Sequence, residues 1–185
     1  MMKIMIDAGH GPETAGKRSP DGVLREFSFN NAVANLIKQY LVEEGLTVFF
    51  AHDEKRDVPL LERTNHANKM NVDAFISIHA NAYGANWNNA NGIETFIYSA
   101  ASKGSVALAS LAQSSLISAC NRTDRGVKKE NFAVLRETRM PAILVECGFM
   151  TNRQEATLLL NRAYRQQCAK AISFAVTAWA YRGKV

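Results

Sequence analysis

Two histidines and a glutamate end three of the apolar segments of this 185-residue chain. His10 follows the run Met1–Ile6, His79 closes the segment ISIHAN, and Glu146 lies within ILVECGF. A hydrophobic pattern predicts no polar residue at these positions, and a buried imidazole or carboxylate needs a partner or a metal ion to offset its desolvation. A single histidine of this kind is interpreted as a core residue whose hydrogen bonds are satisfied, whereas three such residues together indicate a functional site.

Two imidazoles and one carboxylate form a standard protein ligand set for catalytic zinc, with a fourth position left for water. The chain offers two candidates for the carboxylate, Glu146 and Glu26, and Glu26 lies in a polar segment ahead of the first predicted helix. Hydrolysis at such a centre needs two acidic groups, because one completes the metal shell and the other handles protons. The sequence supplies both.

Continuous apolar runs predict the strands that must position these side chains, as in sheets covered on both faces. Helical patterns alternate with them. Ser28 is the expected N-cap of the first helix and Gly45 its end, and Pro59 suits the first turn of a second helix that runs to Met70. A third helix spans Val106 to Leu116, and a short and a long helix follow Asn152, ending near Arg182 with Gly183 as the stop. The predicted strands are Met2–Ile6, Leu46–Ala51, Ala74–His79, Ile93–Tyr98 and Ala142–Cys147, with a weaker one at Phe132–Leu135.

This alternation predicts an α/β sandwich with a mostly parallel sheet of about six strands and helices on both faces, formed by residues 1–185 as a single domain. Ligands of open α/β sheets bind beyond the carboxyl ends of the strands. His10, His79 and Glu146 all fall at that rim, so we expect one site there.

Composition excludes several classes of protein. No apolar run approaches the roughly 20 residues that span a bilayer, and the three cysteines form no CxxC pair, which argues against a cysteine zinc site or a disulfide framework. The net charge of +5 is spread along the chain without a nucleic-acid-type basic run, so no nucleic-acid partner is expected. The amino terminus lacks the pattern of a secretory signal, and we expect synthesis in the cytoplasm.

Six fragments of the chain resemble, in order, the motifs of zinc-dependent N-acetylmuramoyl-L-alanine amidases of type 3. The resemblance covers nearly the whole chain. That family cleaves the amide between N-acetylmuramic acid and L-alanine in peptidoglycan. The fragments are DAGHG (7–11), REFSFN around Glu26, ERTNHAN (62–68), SIHANA (77–82), GIE (92–94) and PAILVECGFMTN (141–152).

By position, the resemblance implies that His10, Glu26 and His79 bind one Zn²⁺ per chain and that Glu146 is the catalytic acid/base. It also implies that the glycines around His10 give the chain room to turn, so that the imidazole points back at the metal. Ala8 stands where the family commonly has proline, a tolerable departure.

Other residues are candidates for supporting roles. Arg63 and Asn68 are candidates for orienting the metal-site loops, with a solvated helix face as the alternative, and Asn81 is a candidate to support the site or to contact substrate. Trp87 is a candidate to stack on a sugar, or it packs locally. Glu94 is expected to be a surface carboxylate. A solvated basic loop is expected from Arg122, Arg125, Lys128 and Lys129.

One rival metal ligand and three rival functions stay open. His52, which stands where the family usually has arginine, is the competing metal ligand. A cysteine amidase would use Cys147 with His79, although strand alternation turns Cys147 away from Glu146. The remaining rivals are a zinc peptidase that cuts the stem peptide elsewhere and a wall-binding module without catalysis.

The expected partner is peptidoglycan, bound by a monomer that does not insert into membranes. With no secretory signal and no wall-binding domain in the chain, we expect the catalytic domain of a phage endolysin, released through a holin-type pore or by cell lysis. The alternatives are a mother-cell lytic enzyme and a trimmed autolysin.

Overall fold

The computed structural model describes residues 1–182, and the elements follow the alternation that the sequence predicts. Strands and helices succeed one another from the first residues to the carboxyl-terminal helix. The strands are β1 (Lys3–Ala8), β2 (Thr47–Phe50), β3 (Ala74–Asn81), β4 (Ile93–Ile97), β5 (Asp124–Lys129) and β6 (Ala142–Phe149); the helices are α1 (Glu26–Glu43), α2 (Leu60–Met70), α3 (Lys103–Cys120), α4 (Ala133–Arg136), α5 (Arg153–Leu160) and α6 (Arg162–Tyr181).

The strands form one sheet in the order β2-β1-β3-β6-β4-β5. All neighbouring strands pair in parallel except β4, which runs antiparallel to β6. The prediction of a mostly parallel six-stranded sheet is confirmed. Within residues 1–182, no helix is both long and apolar enough to cross a membrane.

The two faces of the sheet are covered unequally. Ile76 and Ile78 of β3 point into the large core that contains residues of α1, α3 and α6. Phe75 of the same strand points to the other face, where α2 and α4 contribute a smaller core. Alternation along a strand explains this division, because successive side chains point to opposite faces. Helices on both faces are therefore confirmed.

The smaller layer covers only part of its face. Its apolar cluster ends at Phe75 on β3 and at Leu144 on β6, and polar side chains succeed both residues on that face. On β3 these are Ser77 and His79, and on β6 the next is Glu146. Beyond the helices the strand ends line a cavity of about 980 Å³. The fold thus leaves the carboxyl ends of the central strands open to a ligand, as expected.

Three local predictions are wrong. The run Phe132–Leu135 does not form a strand, since helix α4 begins at Ala133. The sixth strand is instead β5, within the segment expected to be a solvated basic loop. Ser28 is not the N-cap of α1: the helix begins at Glu26, whose N–H donates to the carbonyl of Lys17. The predicted stop at Gly183 lies outside the described residues.

Candidate metal centre

Three side chains converge at the floor of the cavity. Nε2 of His10 lies 3.1 Å from one carboxylate oxygen of Glu26, and Nδ1 of His79 lies 2.9 Å from the other. One ligand atom from each residue falls within 4.8 Å of the others. Zinc holds nitrogen and oxygen ligands at about 2.0–2.1 Å, which puts two tetrahedral ligands roughly 3.3 Å apart. The observed spacing and the donor types therefore fit a zinc ion.

Glycine makes room for this arrangement at Gly9. A Cβ atom built on Gly9 would lie 2.0 Å from Cε1 of His79, a distance that no side chain tolerates. His10 itself has a left-handed backbone with φ of 66°, and its carbonyl accepts a hydrogen bond from the buried guanidinium of Arg63. The turn DAGHG is thus shaped by the packing of one candidate ligand against the backbone that carries the other.

Glu26 is positioned by the start of helix α1. Its carboxylate is only 4% exposed and accepts a bond from the backbone N–H of Ala80, 3.3 Å away. One turn later Asn30 donates to the carbonyl of Gly9 at 3.0 Å and lies beside the same carboxylate. The carboxylate is therefore tied both to strand β3 and to the loop that carries His10.

A buried hydrogen-bond chain orients His79. The hydroxyl of Ser77 donates to Asp7 at 2.7 Å, and the same oxygen lies 3.1 Å from Nε2 of His79. Since the single hydroxyl proton of Ser77 goes to Asp7, the serine oxygen accepts from Nε2–H. Arg63 completes the chain with a 2.7 Å bond to Asp7. This arrangement keeps the proton on Nε2 and leaves Nδ1 to face the metal position, as a supporting partner of a metal-binding histidine does.

Charge interactions within the cluster are strong. Burial alone would raise the pKa of Glu26, but hydrogen bonds and positive charge from His10 and His79 outweigh it and lower that pKa far below its usual range. Burial favours the neutral ring of His79, yet the hydrogen bond and charge of Glu26 raise its pKa. Without a metal, a proton on His79 thus pairs with Glu26, and a bound metal must displace that proton.

Glu146 lies beside the cluster on strand β6, directly opposite His79 in the parallel ladder. Its side chain is buried and lines the cavity, and its Oε2 atom has no hydrogen-bond partner within the described part of the chain. Burial, together with the charges of Glu26 and Glu94, raises the pKa of Glu146 to about 8. An unpaired carboxyl group with a pKa near neutrality can accept and deliver a proton.

Glu94 is buried rather than exposed, contrary to the sequence-based expectation. It pairs with Glu146 across the β4–β6 ladder, and its own carboxylate is bound by Arg125, Lys128 and Asn81. Asn81 also lines the cavity. The basic residues of β5 are therefore partners of a buried acid, which the charge pattern of the sequence did not reveal.

Two further candidates lie elsewhere. Asn68 bonds to the backbone of Glu137 and Arg139, so it ties helix α2 to the segment after α4 and contacts no ligand of the cluster. Trp87 packs against the large core, and the guanidinium of Arg153 lies 4.5 Å from the centre of its ring. Trp87 lines a separate hollow of about 150 Å³ and not the main cavity.

The rival reactive residues also lie apart from the cluster. Nδ1 of His52 accepts the backbone N–H of Ala8 at 2.9 Å and Nε2 lies 3.2 Å from Asn31, so both ring nitrogens are engaged away from the three ligands. Cys147 is fully buried and points into the large core on the face opposite Glu146. This orientation agrees with the alternation argument and removes the cysteine from the cavity.

Residues 4–178 match the sequence model of a family described as N-acetylmuramoyl-L-alanine amidase. The chain is 37% identical over 91% of its length to the uncharacterized protein YqiI of Bacillus subtilis (strain 168), of which it covers 80%. It is 34% identical over 92% of its length to the sporulation-specific N-acetylmuramoyl-L-alanine amidase of that strain, and it spans 65% of that protein.

A solved structure agrees with the sequence comparisons. The crystal structure of N-acetylmuramoyl-L-alanine amidase from Clostridium difficile 630 superposes with a TM-score of 0.93 at 35% identity, covering 98% of this chain and 97% of that one. The α/β architecture described above is thus the architecture of that amidase.

Proposed function

The chain belongs to the N-acetylmuramoyl-L-alanine amidase family, and on that premise we propose that it hydrolyses the amide bond between N-acetylmuramic acid and L-alanine in peptidoglycan. We propose that one zinc ion, held by His10, Glu26 and His79, serves this reaction. One observation supports the proposal most directly: Glu146, whose buried Oε2 atom has no hydrogen-bond partner among residues 1–182, lines the same cavity as the three candidate ligands.

In this mechanism the two imidazoles and the Glu26 carboxylate hold the metal, and the bond from His79 to Ser77 fixes the ring that presents Nδ1. When bound, zinc polarises a carbonyl and lowers the pKa of water. Glu146 accepts a proton from the attacking water and passes it to the leaving nitrogen of L-alanine. A carbon–oxygen bond forms and the carbon–nitrogen bond breaks, and the stem peptide leaves with L-alanine as its new amino terminus.

A zinc peptidase that cuts elsewhere in the stem would use the same residues, so the products must distinguish the two reactions. Purified peptidoglycan is digested with the protein, and the fragments are analysed by mass spectrometry and by labelling of new amino termini. We expect free amino-terminal L-alanine and no new reducing sugar ends. Amino termini of other stem residues would overturn the proposal in favour of a peptidase.

We also propose the biological setting and the organisation expected from the sequence: a monomeric catalytic domain that reaches the wall by cell lysis or through a holin-type pore, as an endolysin does. The test is production in the cytoplasm with and without a co-expressed holin. Lysis that depends on the holin supports this setting. Lysis without the holin contradicts it, and sedimentation as a dimer would contradict the monomer.

A further inference from the structure

Two cationic side chains line the main cavity, and their surroundings differ. The guanidinium of Arg63 is buried and bonds to Asp7 and to the backbone of Val58, Ala8 and His10. Lys17 is exposed and has no hydrogen-bond or ion-pair partner for its ammonium group among residues 1–182. Arg63 is therefore committed to the protein, whereas Lys17 is free to bind a ligand.

The backbone holds Lys17 beside the metal centre. Its carbonyl accepts the N–H of Glu26 at 3.0 Å, so the backbone of the lysine lies directly beside the first residue of helix α1. Its positive charge also acts on Glu146, where it lowers the pKa of the carboxyl group and so opposes burial. Lys17 and Glu146 thus line the same cavity, and the lysine charge is near enough to act on that carboxyl group.

The chemistry of the substrate indicates which part Lys17 would meet. The acyl side of the scissile bond has no free carboxylate, because the lactyl carboxyl group of N-acetylmuramic acid is itself in the amide. Free carboxylates occur only on the peptide side. A residue of extended peptide spans about 3.5 Å, and a lysine side chain reaches about as far as two such residues. Its ammonium group would therefore meet the first or second residue after the bond.

We propose that Lys17 binds a carboxylate on the second residue of the stem peptide and makes the enzyme prefer a free carboxylate over a carboxamide at that position. This specificity rests on the proposed amidase function. Leu60 and Phe132 also line the cavity, and their apolar side chains would not distinguish the two chemical forms. The exposed carboxylate of Asp57 lines it as well, but it lies 3.4 Å from the guanidinium of Arg63 and carries no positive charge to attract a ligand carboxylate.

The experiment uses two synthetic muramoyl tripeptides that are identical except for a carboxylate or a carboxamide on the second residue. We expect kcat/KM of the wild-type zinc enzyme to be about fivefold higher for the carboxylate, the effect of a partly exposed ion pair. Lys17→Met should bring the ratio close to one, and Lys17→Arg should retain the preference. Addition of salt should reduce it.

The control variant is Arg18→Met, which removes a neighbouring exposed charge that does not line the cavity. It should keep the wild-type ratio. If Lys17 acted only through Glu146, Lys17→Met would change kcat/KM equally for both substrates, and the ratio of the two values would stay constant. An unchanged ratio in Lys17→Met therefore overturns the inference while leaving the amidase proposal intact. Failure of the wild-type enzyme to release the tripeptide from either substrate overturns both.

Discussion

The imidazole of His79 lies against the backbone of Gly9, in the space that a Cβ atom would occupy. A Cβ at Gly9 would come within 2.0 Å of Cε1 and 2.3 Å of Nε2 of that ring. The ring cannot move aside freely, because Ser77 and Glu26 hold its two nitrogens. The glycine that precedes one candidate ligand is thus part of the binding pocket of the other.

Gly9→Ala should therefore lower zinc affinity at least tenfold, because the new methyl group displaces the His79 ring from its partners. Zinc binding to the purified variant is measured by competition with a chromophoric chelator. The control is Gly45→Ala, whose added Cβ would meet no atom within 4 Å although its backbone has φ of 79°. This control should lose some stability but keep its zinc affinity, and equal affinity in both variants would contradict the steric argument.

Ser77→Ala should weaken zinc binding by about tenfold, since a metal-binding histidine loses the partner that fixes its tautomer and orientation. The same titration measures this change, with Ser110→Ala as the matched control. Ser110 is exposed on α3, and among residues 1–182 its hydroxyl bonds only to the backbone of its own helix. Unaltered zinc affinity in Ser77→Ala would show that the Asp7–Ser77 pair does not support the ligand.

Glu146→Gln should keep one zinc ion per chain and lose turnover by about 10²- to 10⁴-fold, the usual contribution of a general acid/base. Glu26→Gln should instead lose zinc together with activity, because its carboxylate faces both imidazoles. Elemental analysis and product release are measured on the same samples. A near-native rate in Glu146→Gln would refute its acid/base role.

Glu94→Gln should destabilise the protein by about 1.5–3 kcal/mol at pH 7, the contribution of hydrogen bonds to a charged group. Burial opposes ionisation of Glu94, but bonds from Lys128 and Arg125 lower its pKa below the ordinary value of 4.5. A carboxylate whose pKa is lower in the folded state than in the unfolded state stabilises the folded protein, and this contribution is complete at pH values above the unfolded-state pKa. The contribution is lost as the pH falls through the folded-state pKa. The difference between wild type and variant should therefore shrink below about pH 4.5.

This difference is measured by urea unfolding between pH 3 and pH 7. Exposed Glu13 has no partner within residues 1–182, so Glu13→Gln is the control and should differ little from the wild type at any pH. A Glu94→Gln difference that stays constant across this range would contradict an ionised, paired Glu94.

The sheet was predictable where its strands are apolar on both faces, as β3 and β6 are. Strand β5 was not, because it lies at the edge of the sheet and its sequence DRGVKK lacks a hydrophobic pattern. The four-residue run Phe132–Leu135 fits a strand or a helix equally by composition, and its packing beneath the sheet decides for helix α4.

The candidate site was predictable in its residue types because polar residues at strand ends contradict the local pattern. The resemblance supplied Glu26, which no periodicity would select from a polar loop. The supporting contacts could not be derived from sequence: Arg63 reaches Asp7 across 56 residues, and Ser77 reaches it across 70. Such long-range contacts depend on the register between strands and on packing of α2.

The most direct test of the central claim is a zinc titration of the metal-free protein, followed by simultaneous measurement of bound zinc and of L-alanine amino termini released from peptidoglycan. We predict that activity rises in proportion to bound zinc and levels off at one ion per chain. His79→Ala should neither bind the ion nor produce L-alanine amino termini. Full activity of the zinc-free protein, or loss of activity on treatment with a thiol reagent alone, would contradict the assignment of His10, Glu26 and His79 as the catalytic metal site.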